Sequence, residues 1–358
     1  MTTRGLLDPA LADAVGGWLS APHAHHDETR PALRWLHGPA GPLAAGQSHD
    51  RIEIARILAS VASVDMSVAF SLWCHRMAIV YLRAADHDAA ARRWLPLLEP
   101  AEIAGSTALA AAMAHHVAGE PLSITGRPLQ GELVLDGRIR WASNLFGTQF
   151  LLVTAVDVAG QGPRIVALSG DQPGLTVDEH PQLLDLQATL SSSLRLTAVR
   201  VQPEAVLTAD FHGFIRAVRP TFLLWQASFA WGLAARALDA ASPHVGRGPS
   251  RVFAPEAVEL ASERDRIEAD ILSALRASDP ALSRGGGGAA PGELAGVVSL
   301  RLAAARLAGS ATRLECKVTG GAGYASGSPT ARRLREAAFL PIQSPTEGQL
   351  QWELLRSR

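Results

Sequence analysis

Apolar positions in the first hundred residues recur at helical spacing. Leu7, Leu11, Val15 and Leu19 stand four apart, which predicts an amphipathic helix over 6–19 that Pro22 ends. Gly38, Pro39, Gly41 and Pro42 mark the loop that follows. A second helix is expected from Asp50, with Ile52, Ile54, Ile57, Leu58 and Val61 on its buried side. Asp65 is placed to cap a third, 66–83, whose apolar residues surround the axis and so place it in the core. A shorter helix, 89–98, precedes Pro100.

Near Gly105 the pattern changes to short alternating runs. Residues 132–136, 150–156, 164–168 and 194–201 read as strands, punctuated by Gly131, Gly137, Gly160, Gly162, Gly170 and Gly174. Helical spacing returns after Asp210, over 214–241, 255–277, 293–318, 329–340 and 347–358, with a flexible break at 284–288. The predicted class is α+β: an N-terminal helical domain (1–104), a middle β domain (105–208) and a C-terminal helical-bundle domain (209–358).

Composition narrows the classes of function. The 33 Lys and Arg against 34 Asp and Glu leave a net charge of −1, without the basic stripe a nucleic-acid partner requires. Cys74 and Cys316 are far apart and form no CxxC, so neither a disulfide framework nor a zinc site is expected, and a cytoplasmic location fits. Arg4, Asp8 and Asp13 interrupt the N-terminus, unlike a signal peptide, and no uninterrupted apolar run approaches the roughly 20 residues of a membrane span. His23, His25, His26 and Asp27 are read as a solvated loop, and no metal is expected.

Helices, then a β domain, then helices resembles the acyl-CoA dehydrogenase superfamily, and local segments extend the resemblance over most of the chain from about residue 50. Residues 133–144, Leu-Val-Leu-Asp-Gly-Arg-Ile-Arg-Trp-Ala-Ser-Asn, are similar to that family's flavin-facing segment. The resemblance implies FAD, with Trp141 against the isoalloxazine ring and Ser143 and Asn144 beside it. A hairpin whose tryptophan only fills a core is the alternative. Thr319-Gly-Gly-Ala-Gly-Tyr324, after a long helix and before Pro329 and Arg335, is similar to the family's glycine-rich turn and implies that Gly320, Gly321 and Gly323 admit the FAD phosphates or adenosine. Residues 186–203 resemble the serine-bearing strand that closes the family's β domain. Ser191, Ser192 and Ser193 are then either substrate contacts or polar edge-strand residues. Ser63-Val-Asp65, Trp94-Leu-Pro96 and Glu102-Ile-Ala-Gly105 match the N-terminal domain as structural elements.

The chain also departs from the family pattern. Counted without gaps, the usual carboxylate base falls on Ser344. A shift beside Pro345 brings Glu347 there, where it is either the catalytic base or a first-turn acid of the last helix. The first long helix of the C-terminal part has no carboxylate over 218–227 to take the role. In the altered flavin-binding stretch 111–121 the hydroxyl donors are missing. His115 and His116 are either replacements that touch flavin or substrate, or turn histidines. Arg251, or Arg247, stands for the pyrophosphate contact.

The expectation is an FAD-dependent oxidoreductase that dehydrogenates an acyl thioester, carried on CoA or a carrier protein, as a homodimer or homotetramer. The alternatives are a flavin monooxygenase or oxidase on the same fold, which needs no carboxylate base and for which the two histidines suit proton transfer, and a non-catalytic paralogue subunit.

Overall fold

The computed structural model describes residues 5–21, 27–44, 49–277 and 291–356. Helix α1 (Pro9–Leu19) is capped by the Asp8 carboxylate, which accepts from the Ala10 and Leu11 N–H groups. α2 (Arg30–His37) lies where a loop was expected. It spans two turns, too short for periodicity to stand out, yet it buries Ala32, Leu33 and Leu36. Asp50 caps α3 (Arg51–Ala62) through Glu53 N–H at 2.7 Å, and Asp65 caps α4 (Met66–Arg83) through Val68 N–H at 3.0 Å. α4 is buried around nearly its whole circumference, as its apolar content requires. α5 (Ala89–Leu98) closes this part.

A sheet of eight strands occupies the middle: β1 (Ala104–Ala108), β2 (Ile124–Leu129), β3 (Glu132–Ala142), β4 (Phe150–Val158), β5 (Gly162–Ser169), β6 (Leu175–Val177), β7 (Ser192–Val201) and β8 (Val206–Thr208). The order is β6-β7-β3-β2-β4-β5-β8, with β1 parallel beside β4. Gln130 and Gly131 both have positive φ, 52° and 85°, the backbone a two-residue β2–β3 hairpin needs. α6 (Ala110–Ala118) interrupts the expected run of strands, because four of its first five residues are alanine, the best helix former. β1 lies directly on α4: a Cβ on Gly105 would stand 2.6 Å from Ala78 Cβ. The fully buried His75 of α4 receives the Gly105 N–H at Nδ1 and donates from Nε2 to Leu98 O, joining α4, β1 and α5. Burial holds its pKa well below the usual histidine range, so it is neutral.

The C-terminal part consists of α7 (Phe211–Ala241), α8 (Ala254–Ala277), α9 (Pro291–Thr319), the single turn α10 (Gly321–Tyr324), α11 (Pro329–Phe339) and α12 (Glu347–Arg356). α7 packs along α9 on one side and α3 on the other. A Cβ on Gly232 would stand 2.1 Å from Ala59 O, which is how closely α7 approaches α3. The stretch Leu294–Thr319 is long and apolar enough to cross a bilayer, but 56% of its most apolar window is buried inside the protein. It also carries the buried Arg301, held by Gln226, Gln343 and Leu340 O, and the buried Glu315.

α11 places a second buried acid against α4. Glu336 is 1% exposed and accepts the Met66 N–H at 3.2 Å. Burial pushes its pKa from 4.5 to about 8, the partial attraction of Arg332 notwithstanding. A carboxyl raised on folding contributes stability that is complete below its unfolded pKa and is lost as pH rises through the folded one. Stability is therefore expected to fall between about pH 5 and 8, and Glu336→Gln to flatten that slope and raise stability at pH 8 by roughly 1–3 kcal/mol. Urea titrations of both proteins across this range check it; parallel slopes would refute the assignment.

Candidate functional site

The end of β3 presents a large aromatic surface beside a buried polar chain. Trp141 is 57% exposed, although an indole is among the most costly side chains to leave in water. Two residues on, Ser143 is buried, and its hydroxyl meets Ser191 Oγ at 2.6 Å; Ser191 in turn meets Thr189 Oγ1 at 2.8 Å. Ser143 O accepts from the Ser106 hydroxyl of β1 at 2.6 Å. Asn144 turns the chain with φ 63°, and its Nδ2 donates to Ser71 O of α4 and Gly105 O of β1, each at 2.9 Å. These bonds fix the turn to two neighbouring elements, while Asn144 Oδ1 is buried without a partner.

The glycine turn lies at the end of α9. Gly320 has φ 65° and ψ −149°, a region glycine alone occupies freely. A Cβ on Gly320 or Gly321 would meet nothing within 4 Å, so the turn is open outward, whereas one on Gly323 would press on Thr319 and Thr330. Lys317 stands one turn before it, its Nζ 5.4 Å from the Phe253 ring centroid and bonded to Glu256 at 2.8 Å. Phe253 ends the 3-10 turn Gly248–Phe253, which carries the exposed Arg251, so this cationic segment lies beside the glycine turn. Arg251 Nε itself donates to Gly246 O at 3.0 Å.

Arg335 of α11 connects the two regions. It donates from Nε to Asp185 at 3.0 Å and from Nη1 to Ser326 O at 3.1 Å. Asp185 opens the loop that delivers Thr189 and Ser191 to Ser143, and Ser326 follows the glycine turn. Arg335 thus ties the loop that carries Thr189 and Ser191 to the segment that follows the glycine turn.

The remaining candidates lie in other surroundings. Glu347 is the first residue of α12; its Oε1 accepts from Arg306 Nε and Nη2, both at 2.9 Å, and from Gln351 at 3.1 Å. Ser344 O accepts from Gln226 at 3.0 Å. His115 donates from Nδ1 to Glu120 O, and His116 meets His212 nitrogen to nitrogen at 3.0 Å at the start of α7. Burial first, then repulsion of positive charge by His212, Arg219 and Arg216, lowers the His116 pKa to about 4, so it is neutral at physiological pH. Nearby Arg219, 1% exposed, holds Glu353 of α12 bidentately at 2.7 and 2.5 Å, a pair that sequence spacing gives no means of finding. Ser192 turns its hydroxyl back onto Asp178 O and Glu179 O. Of the histidine cluster near the N-terminus, only Asp27 is among the described residues.

No protein-family model and no curated protein sequence matches the chain. Solved structures do. A glutaryl-CoA dehydrogenase from Mycobacterium smegmatis in complex with FADH2 superposes with a TM-score of 0.81 at 15% identity, over 98% of this chain and 95% of that one. The chain has the acyl-CoA dehydrogenase fold. The fold extends to other chemistry: the flavoprotein nitroalkane oxidase matches at 0.80 and 17% identity (97% and 93% covered). KijD3 in complex with dTDP matches at 0.76 and 22% (97% and 93%). Within this acyl-CoA dehydrogenase fold, the residues present suit a flat heteroaromatic ring with an anionic tail. They offer an exposed indole, a hydroxyl with donor capacity, an unmet buried acceptor, and an open glycine turn flanked by Lys317 and Arg251.

Proposed function

We propose that the protein is an FAD-dependent oxidoreductase acting on an acyl thioester by α,β-dehydrogenation, as a homodimer or homotetramer. One observation carries the flavin reading: the exposed Trp141 stands two residues from Ser143, whose hydroxyl joins Ser191 and Thr189, and Arg335 links the loop bearing those two residues, through Asp185, to Ser326 just after the open glycine turn. A bound flavin supplies two-electron acceptance. Trp141 is the stacking surface for its ring, Ser143 offers its hydroxyl beside it, and Asn144, bonded to Ser71 O and Gly105 O, holds the turn in place. Gly320 and Gly321 leave room for phosphates, while Gly323 lets the turn pack onto Thr319 and Thr330; Arg251 supplies countercharge, and Lys317 adds to it on leaving Glu256. His115, His116 and Ser192 are then supports at the periphery, since each is held by a neighbour.

Glu347 is the base in this reading, and it must leave Arg306 to act. That engagement is the observation favouring the second reading, an oxidase or monooxygenase that requires no α-proton abstraction.

The purified protein is expected to show flavin absorbance and to be bleached anaerobically by some member of an acyl-CoA panel. Glu347→Gln is expected to lower that reduction rate at least 100-fold, since a general base contributes typically 10²–10⁴-fold. Wild-type reduction in the variant removes Glu347 from the mechanism. Oxygen consumption with reduced flavin and no acyl-CoA reaction supports the second reading, and absence of flavin supports a non-catalytic subunit.

A further inference from the structure

On the face of α4 away from the Trp141 platform, α3, α4 and α7 border a cavity of about 320 Å3. Ser71, whose carbonyl holds Asn144, faces the platform; Arg76 comes five residues later, roughly 140° round the helix, and lines the cavity. Arg76 is 7% exposed, and its Nε is buried with no hydrogen-bond partner. The acids whose charge favours it are engaged elsewhere: Glu99 with Arg83 at 2.7 Å and Glu53 with His49 at 3.0 Å. Asp50, the cavity's own carboxylate, caps α3 through Glu53 N–H. Burial lowers the Arg76 pKa to about 10, which leaves it cationic at neutral pH.

A buried guanidinium without a counter-ion is costly, and an anion that pairs with it relieves that cost. The rest of the lining is divided: His49, Asp50, Arg51 and Arg83 contribute polar and charged groups, and Ile54, Ile79, Val80, Val218 and the Trp225 indole form an apolar side. At about 30 Å3 per water-sized group, the cavity has room for roughly ten heavy atoms.

We propose that this cavity binds a small aliphatic carboxylate, with the carboxylate on the Arg76 guanidinium and the chain against Ile54, Ile79, Val218 and Trp225. The planar fork of arginine matches a carboxylate with two parallel hydrogen bonds, and the apolar side formed by Ile54, Ile79, Val218 and Trp225 gives a hydrocarbon chain a surface that a fully hydrated ion such as phosphate does not use.

The test is calorimetric titration and thermal denaturation of the full-length protein with butyrate, its neutral counterpart butyramide, and inorganic phosphate. Butyrate is expected to saturate and to raise the melting temperature, and butyramide and phosphate to do neither. Arg76→Met is expected to weaken butyrate binding about tenfold or more while leaving the ligand-free protein at least as stable, since it removes an unpaired charge. Val80→Phe, which fills the cavity from a half-buried position, is expected to weaken binding with Arg76 intact. The proposal is overturned if butyrate does not saturate, if both variants bind it as the wild type does, or if phosphate saturates where butyrate does not. Because these readouts need neither flavin nor turnover, the outcome is separate from that of the flavin reading.

Discussion

Replacing Arg333 with leucine is expected to destabilise the protein by about 3–5 kcal/mol, measured as the loss of folding free energy in urea. Arg333 of α11 and Glu315 of α9 are both buried and meet through two parallel bonds, one of them Nε to Oε2 at 2.8 Å. Thr330 completes the carboxylate's shell with a 2.7 Å bond from its hydroxyl. Removing the guanidinium leaves Glu315 charged, dry and short of its counter-ion, which is more damaging than losing the pair as a whole. The double variant Glu315→Gln with Arg333→Met should therefore recover much of the loss. The pair also underlies the glycine turn, since Thr319 and Thr330 are the side chains against which Gly323 packs. A loss below about 1 kcal/mol for Arg333→Leu would mean that water reaches Glu315 and that the turn has no rigid base.

Neither partner of this pair could be identified from spacing. Arg333 lies in the run Arg332-Arg333-Leu334-Arg335, and each arginine has a different fate: Arg332 reaches Val64 O, Arg333 is buried on Glu315, and Arg335 reaches Asp185 and Ser326. Helical periodicity separates them by angle, but which angle faces α9 depends on the packing of two helices. Elements whose signal is local were legible. Asp50 and Asp65 cap the helices expected from them, and the alternating runs at 132–136, 150–156, 164–168 and 194–201 fall within β3, β4, β5 and β7. α2 and α6 were not, since two turns of helix carry too few apolar repeats and α6 stands among strands.

The candidate site divides in the same way. Trp141, Ser143 and Asn144 lie within four residues, so one segment placed them together, and the glycine turn announces itself by composition. Ser191 and Thr189 acquire a role only because the loop from Asp185 folds back to Ser143, a long-range event with no sequence signature. Ser192, next in sequence and the first residue of β7, turns its hydroxyl elsewhere and is consumed by Asp178 O and Glu179 O. Glu347 is ambiguous in sequence because the first turn of a helix attracts acids on electrostatic grounds alone, and in the structure Arg306 adds a second non-catalytic use for the same carboxylate.

Trp141→Ala is expected to weaken flavin binding by roughly 10–100-fold, the effect of removing an aromatic stacking partner worth about 1–3 kcal/mol. Because more than half of the indole surface is exposed, few protein contacts are lost, and the melting temperature of the flavin-free protein should change little. Trp141→Phe should retain most of the affinity, since a smaller ring still offers a face. Ser143→Ala makes a different cut: it breaks the hydroxyl chain at its first member and leaves Ser191 bonded to Thr189 alone, so the position and shape of the flavin absorption bands should change more than the affinity. Fluorimetric titration of the apoprotein with FAD distinguishes these outcomes. If Trp141→Ala binds FAD as tightly as the wild type, the exposed indole faces something other than a flavin. A subunit contact would then be the first alternative, and it would appear as a change in oligomeric mass in the same variant.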